Sequence, residues 1–175
     1  MKQIIKIRRK KNVPIKVNDK GTIKEVTVDV ELPKIIPQGE WIDLSACGNY
    51  TYKKGEYIDI DLGVAMKMPA GMEAPVIERS STFRKYGIIL VNGEGLIDNP
   101  FQGNENFWHF FGYALKDGNI KHGAKIAQFR IQLSQKATVC QKLKWLFSNG
   151  VKIQEVDNLT APNRGDSGST DSIKN

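Results

Sequence analysis

Apolar residues recur at every second position in three stretches of this chain, the period of strands that bury one face. Val26, Val28, Val30 and Leu32 alternate with Thr27, Asp29 and Glu31. Ile58, Ile60, Leu62, Val64, Met66 and Met68 keep the alternation over eleven residues, and Phe129, Ile131 and Leu133 repeat it against Gln128, Arg130 and Gln132. Turn formers punctuate these runs at Gly48, Lys53-Lys54-Gly55, Pro69-Ala70-Gly71, Asn92-Gly93 and Lys116-Asp117-Gly118-Asn119. Many short strands at such spacing predict an all-β sandwich or barrel.

One segment departs from the period. Between Leu133 and Val151, the residues Val139, Leu143, Leu146 and Phe147 fall at helical spacing, and Ser148-Asn149-Gly150 is placed to close a helix. Val139, Leu143, Trp145 and Phe147 also share one face of a strand, so both forms stay open, with the helix preferred. Residues 1–157 read as a single domain, in which residues 134–150 break the strand pattern. From Asn158 the chain turns polar and glycine-rich, which predicts a mobile tail over 158–175. The aromatic run Phe107–Phe111, with His109 inside it, reads as core.

Composition narrows the class. A chain of 175 residues supports one real core but not two, and 40% hydrophobic with 26% charged residues is globular rather than disordered. Cys47 and Cys140 have no metal or redox spacing and read as reduced thiols of a cytoplasmic protein. No apolar run approaches the ~18 residues of a membrane helix, and the basic N-terminus lacks the apolar stretch of an export signal. The net charge of +7 is concentrated in Lys6-Ile7-Arg8-Arg9-Lys10-Lys11. Such a run is either a nucleic-acid patch or a solvated strand edge. No nucleic-acid motif accompanies it, so the edge is preferred and a nucleic-acid partner is not expected.

Candidate chemistry centres on Gly95-Leu96-Ile97-Asp98-Asn99-Pro100-Phe101-Gln102-Gly103. An acid just off a buried strand is partly desolvated and can act as a general base, while the same Asp between glycine and proline also serves as a turn former. Arg79-Ser80-Ser81 sets a guanidinium beside hydroxyls, and Arg79 can offer a planar fork to a phosphate or to a carboxylate such as Asp98. Gln128 opens an alternating strand with its amide free to face a polar pocket. Arg164-Gly165-Asp166-Ser167-Gly168-Ser169-Thr170 is a loop suited to wrapping phosphates with backbone amides. Gly118 and Gly123 have Walker spacing without the Gly-Lys-Ser/Thr that would follow, and His109 and His122 lack partners at zinc spacing.

Taken in order, Asp43-Leu44-Ser45-Ala46, Arg79-Ser80-Ser81, Gly95 to Gly103, Gly123-Ala124-Lys125-Ile126-Ala127-Gln128 and Arg164 to Thr170 resemble the five motifs of the trimeric dUTPase family, phage-type members included, and against its compact members residues 134–150 look inserted. The resemblance covers residues 40–133 and resumes near residue 151. It implies a jelly-roll-like β-barrel and hydrolysis of dUTP to dUMP and pyrophosphate by water attack on the α-phosphorus. It makes Asp98 the general base, Mg²⁺ the ion bridging the phosphates, and Asp43 a contact to that ion through water only. Arg79, Ser80, Ser81 and Gln128 become phosphate ligands, and a hairpin containing Asn92, Gly95, Leu96 and Ile97 reads uracil. Phe101 presses on the sugar, while Arg164, Ser169 and Thr170 close over the triphosphate. A homotrimer with shared sites is implied, in the host cytoplasm if the gene belongs to a phage.

The chain departs from the family pattern in three places. Ala124 replaces an acid, Phe101 replaces a tyrosine, and no aromatic stands between Gly168 and Ser169 to stack on uracil. Trp145 and Phe147 are the nearest spare rings in sequence. A rival reading is dCTP deaminase, of the same fold, which needs a glutamate near Trp108, whereas Glu105 sits too early. A regulatory protein partner docking on Ser134–Phe147 is the other alternative.

Overall fold

The computed structural model describes residues 1–165. Strand β1 (Gln3–Arg9) leads into a hairpin of β2 (Val13–Asp19) and β3 (Thr22–Val28). Strands β4 (Ile42–Ser45), β5 (Tyr50–Tyr52), β6 (Tyr57–Asp61), β7 (Val64–Lys67) and β8 (Met72–Glu78) follow. A five-residue helix α1 (Thr82–Tyr86) precedes β9 (Ile88–Leu90), β10 (Gly95–Ile97), β11 (His109–Ala114), β12 (Gly118–Ile120), β13 (Lys125–Phe129) and β14 (Gln132–Leu133). Helix α2 (Val139–Leu146) and β15 (Val151–Glu155) end the described elements.

The strands build small sheets around one core, the jelly-roll-like all-β arrangement of short strands. One sheet has the order β10-β8-β13-β4 with β14 also on β8, a second β6-β11-β9, and a third β15-β1-β7. Trp108 meets Phe129 edge to face at 5.2 Å and 82° in the centre, among Ile5, Ile7, Leu44, Ile60 and Phe110. All six alternating residues from Ile58 to Met68 are buried, as their period predicts. The run is nevertheless two strands, because Gly63 at φ 65° turns the chain from the second sheet into the third.

Elsewhere the same period misleads. The alternation through Val26 and Val28 does form β3, which among the described residues pairs with β2 alone. Ile23 is 69% and Val26 37% exposed, because a two-stranded ribbon has little to bury its faces against. Val30, beyond the strand, does enter the core. Phe129 falls in β13 and Leu133 in β14, with Ile131 in the link between them, and both strands pair with β8.

The basic run is not an edge. β1 lies between β15 and β7, with Ile5 and Ile7 fully buried, so its cations are managed by carboxylates. Arg9 Nε lies 2.8 Å from Glu155, Lys11 3.2 Å from Asp157, and Lys10 pairs closely with Asp61.

The segment after Leu133 folds as the preferred helix. Thr138 and Gln141 form a reciprocal capping box that satisfies the first amides of α2. Trp145 packs half-buried on the core, while Val139, Leu146 and Phe147 stay 71–75% exposed. Cys47 is buried and Cys140 exposed, both free thiols, and burial pushes the Cys47 thiol up to about 11. Among the described residues no helix is long and apolar enough to cross a membrane.

The Gly63 turn is a stability test. A Cβ there would lie 2.5 Å from Val30 Cγ2 and 2.9 Å from Cys47 Sγ, in a backbone conformation that already disfavours side chains. Gly63→Ala should destabilise the fold by about 1–3 kcal/mol in thermal or urea melts. An unchanged midpoint would mean the turn relaxes without cost.

Candidate active site

The first group of functional side chains is set by sheet register. Asp43 on β4 stands opposite Gln128 on β13, and β13 also pairs with β8, which ends at Glu78. Arg79 therefore emerges beside these two residues, its N–H donating to the Ile126 carbonyl at 3.3 Å. The buried Thr82 hydroxyl donates to that same carbonyl at 2.7 Å and ties α1 to β13. Arg79 Nε lies 2.6 Å from Asp43 Oδ1, and Lys125 Nζ lies 3.2 Å from Asp43 Oδ2. Gln128 Nε2 donates to the Glu78 carbonyl at 3.2 Å. Ser80 is exposed, and Ser81 starts α1 without a side-chain cap bond.

Two cations thus meet one carboxylate, with the Gln128 amide on the facing strand and two hydroxyl residues directly after Arg79. The set carries net positive charge and suits an incoming phosphate oxygen. Arg79 takes Asp43 as its carboxylate, not Asp98. Strand register sets which carboxylate the fork meets.

The second group surrounds the turn after β10. The Phe101 N–H donates to the Asp98 carbonyl at 3.0 Å, closing the turn. Asn99 Nδ2 donates to the carbonyls of Pro69 and Met72, each at 3.0 Å, and pins the turn to the β7–β8 connection. The Asp98 side chain is 47% exposed and paired with the Arg164 guanidinium. The enclosure expected of a base just off a buried strand is therefore not supplied by the described part of one chain. Beside the turn is a cavity of about 110 Å³, lined by Asn92, Gly95, Leu96, Ile97 and Phe101 together with the aromatic run. The Asn92–Gly95 stretch is not the tip of a two-stranded hairpin: β9 pairs with β11 and β10 with β8, so the turn joins two sheets.

Arg164 is delivered by an asparagine clamp that sequence reasoning missed. The buried Asn106 accepts from Gly103 N–H at 3.0 Å and Arg164 N–H at 2.8 Å through Oδ1, and its Nδ2 donates to the Arg164 carbonyl. Asn104 Oδ1 accepts from Leu159 N–H at 2.8 Å, and Asn163 Oδ1 accepts from Glu105 N–H at 3.0 Å. Gly103 is required for close approach, since a Cβ there would fall 2.4 Å from Asn163 Cα. The usable signal was Asn104-Glu105-Asn106 directly after Phe101-Gln102-Gly103. Ser169 and Thr170 lie outside the described residues.

β8 keeps the two groups apart. Ile97, the residue before Asp98, pairs with Ala74, and Arg79 lies five residues beyond Ala74. At ~3.3 Å per residue that is about 16 Å along the strand. Trp145 borders a different cavity, shared with Leu133 and Val151. The position near which a deaminase would need its glutamate holds the fully buried Trp108. Among the described residues no cluster of three His, Cys, Asp or Glu side chains is arranged to hold a metal.

Comparison with known proteins places these features in a family. A family model for dUTPase matches residues 38–173. The chain is 43% identical over 133 residues to the SPbeta prophage-derived deoxyuridine 5'-triphosphate nucleotidohydrolase of Bacillus subtilis, covering 76% of this chain and 84% of that protein. It is 28% identical over 147 residues to the deoxyuridine 5'-triphosphate nucleotidohydrolase of Clostridium acetobutylicum, covering 83% and 91%. Among solved structures, dUTPase from Streptococcus mutans superposes with a TM-score of 0.56 at 22% identity, over 61% of this chain and 88% of that one. A mutant dUTPase from phage phi11 of S. aureus, solved with a structural Mg(II) ion, superposes with a TM-score of 0.54 at 15% identity, over 63% and 88%.

Proposed function

The chain belongs to the dUTPase family and hydrolyses dUTP, and from that premise we propose how its residues divide the work. Asp98 is the general base: it takes a proton from a water that attacks the α-phosphorus in line, and dUMP and pyrophosphate separate. Arg79, Ser80, Ser81 and Gln128 hold phosphate oxygens, with Lys125 adding charge. The backbone from Asn92 through Gly95, Leu96 and Ile97 reads uracil, and Phe101 presses on the sugar where a 2′-hydroxyl would stand. Arg164, Ser169 and Thr170 close over the phosphates. To reach them the Arg164 guanidinium leaves Asp98, so the movement that completes phosphate binding also frees the base.

The observation that carries this reading is the span of β8. Asp98 and Arg79 lie too far apart in one chain to meet the same α-phosphate, so each site takes Asp98 from one chain and the Asp43–Arg79–Gln128 group from another. A closed ring of three chains satisfies this with three equivalent sites.

Mg²⁺ fits this donor set through the substrate. Asp43, the carboxylate of the phosphate group, is already shared by Arg79 and Lys125, which suits contact with an ion's water shell rather than the ion itself. When bound, the ion supplies charge neutralisation across the three phosphates.

Asp98→Asn should fold and bind nucleotide but lose about 10²–10⁴-fold in kcat, because the amide keeps the shape without the basicity. Pyrophosphate release from dUTP and the four common deoxynucleoside triphosphates measures both points. Release from dUTP alone, lost in the variant, is expected; near-normal turnover in the variant removes Asp98 from the chemistry, and ammonia release from dCTP identifies the deaminase.

The exposed Val139, Leu146 and Phe147 favour a second role for α2 in docking a regulatory protein. Leu146→Glu combined with Phe147→Glu, both at exposed positions, should leave dUTP turnover within about twofold. The same variant should fail to capture a protein that the wild type captures from host extract. Identical captured proteins would assign α2 to the fold alone.

A further inference from the structure

The cavity beside the Asp98 turn has a histidine on its wall that the chemistry above leaves idle. His109 opens β11 and lines the same cavity as Leu96 and Phe101. Two contacts fix its ring. Nδ1 lies 2.6 Å from Asp59 Oδ1, and since a carboxylate only accepts, Nδ1 carries the proton. The imidazole also lies nearly parallel to Phe111, with centroids 6.0 Å apart and 23° between planes. Phe111 in turn lies on Tyr57 at 6.2 Å and 19°. His109 is therefore the end of a three-ring stack, backed on one face and tethered at one nitrogen. Its side chain is still 35% exposed and borders the cavity.

The other rings near the cavity are committed. Trp108 is fully buried, and Phe111 is held between His109 and Tyr57. Phe107 is faced by the Lys10 ammonium at 4.4 Å and the Arg8 guanidinium at 5.4 Å. Phe101 follows the Asp98 turn and is placed against the sugar. Trp145 belongs to another cavity, and Phe147 is 75% exposed on α2. A ring immobilised before binding loses little side-chain entropy when a planar heterocycle settles on it.

We propose that His109 is the ring on which the pyrimidine base of the substrate rests, and that Asp59 is the positioning residue that holds it there. The assignment rests on the dUTPase reading of the Asp98 cavity. It makes base affinity depend on a histidine–aspartate pair in the barrel wall rather than on the tail.

Steady-state kinetics on dUTP, paired with inhibition by inorganic tripolyphosphate, tests it. Tripolyphosphate has no base, so it reports the phosphate contacts alone. His109→Ala should raise KM for dUTP about tenfold, with the larger part of the effect in KM rather than kcat, and leave tripolyphosphate inhibition unchanged. His109→Phe, which keeps a ring, should restore KM. Asp59→Asn should fall between wild type and His109→Ala. An unchanged KM in His109→Ala, with wild type turning over dUTP normally, overturns the proposal and leaves the enzyme's function standing. Equal weakening of tripolyphosphate also overturns it, since the effect would then come from the fold. A wild type that does not hydrolyse dUTP would remove the functional reading and this proposal together.

Discussion

β8 carries a cation-rich group at its carboxyl end and, through its ladder to β10, a carboxylate near its amino end. The strand is seven residues long and is hydrogen-bonded to β10, β14 and β13, so its length is fixed by the sheet. A side chain can swing a few ångströms, but a paired strand cannot shorten. The proposed site joins the two groups across chains. This spacing motivates the proposed trimer, which accounts for the openness of each group by itself.

Each group is held together by ion pairs that a triphosphate can exchange. Asp43 keeps Arg79 and Lys125 oriented, with side chains only 21–50% exposed across the three. Arg164 occupies Asp98 while Asn106 grips the Arg164 backbone, so the guanidinium can leave without releasing the segment that carries it. Phosphate matches a guanidinium fork as well as a carboxylate does, and a triphosphate brings more negative charge than one carboxylate, which gives the exchange its direction. The clamp through Asn104, Asn106 and Asn163 fixes where the tail starts from.

Legibility in the sequence followed how local each determinant is. The alternation of Ile58 to Met68 and the helical spacing of Val139, Leu143 and Leu146 act within a few residues, and both gave the right element type, although Gly63 splits the first run into two strands. The Asp98 turn was legible for the same reason, since Asn99-Pro100 closes it locally. Val26 and Val28 misled because period 2 reports burial only where another sheet is present to bury against. The basic run looked like an edge because β15, its partner, lies more than 140 residues away. Arg79 meeting Asp43 depends on two strand registers, and Asn106 on a tail nearly 60 residues downstream. His109 was grouped with the core by its aromatic neighbours, and only the strand pairing of β6 with β11 brings Asp59 to it.

Subunit complementation tests the central claim most directly. Asp98→Asn and Arg79→Ala chains, each with little activity alone, are unfolded, mixed in equal amounts and refolded together. If a site draws Asp98 from one chain and Arg79 from the next, every mixed trimer has one site with both native residues. The mixture should then regain about a quarter of wild-type dUTP turnover for random assembly. A mixture no more active than its parents, with mixed trimers demonstrated by mass, would place both residues of each site in one chain and contradict the account.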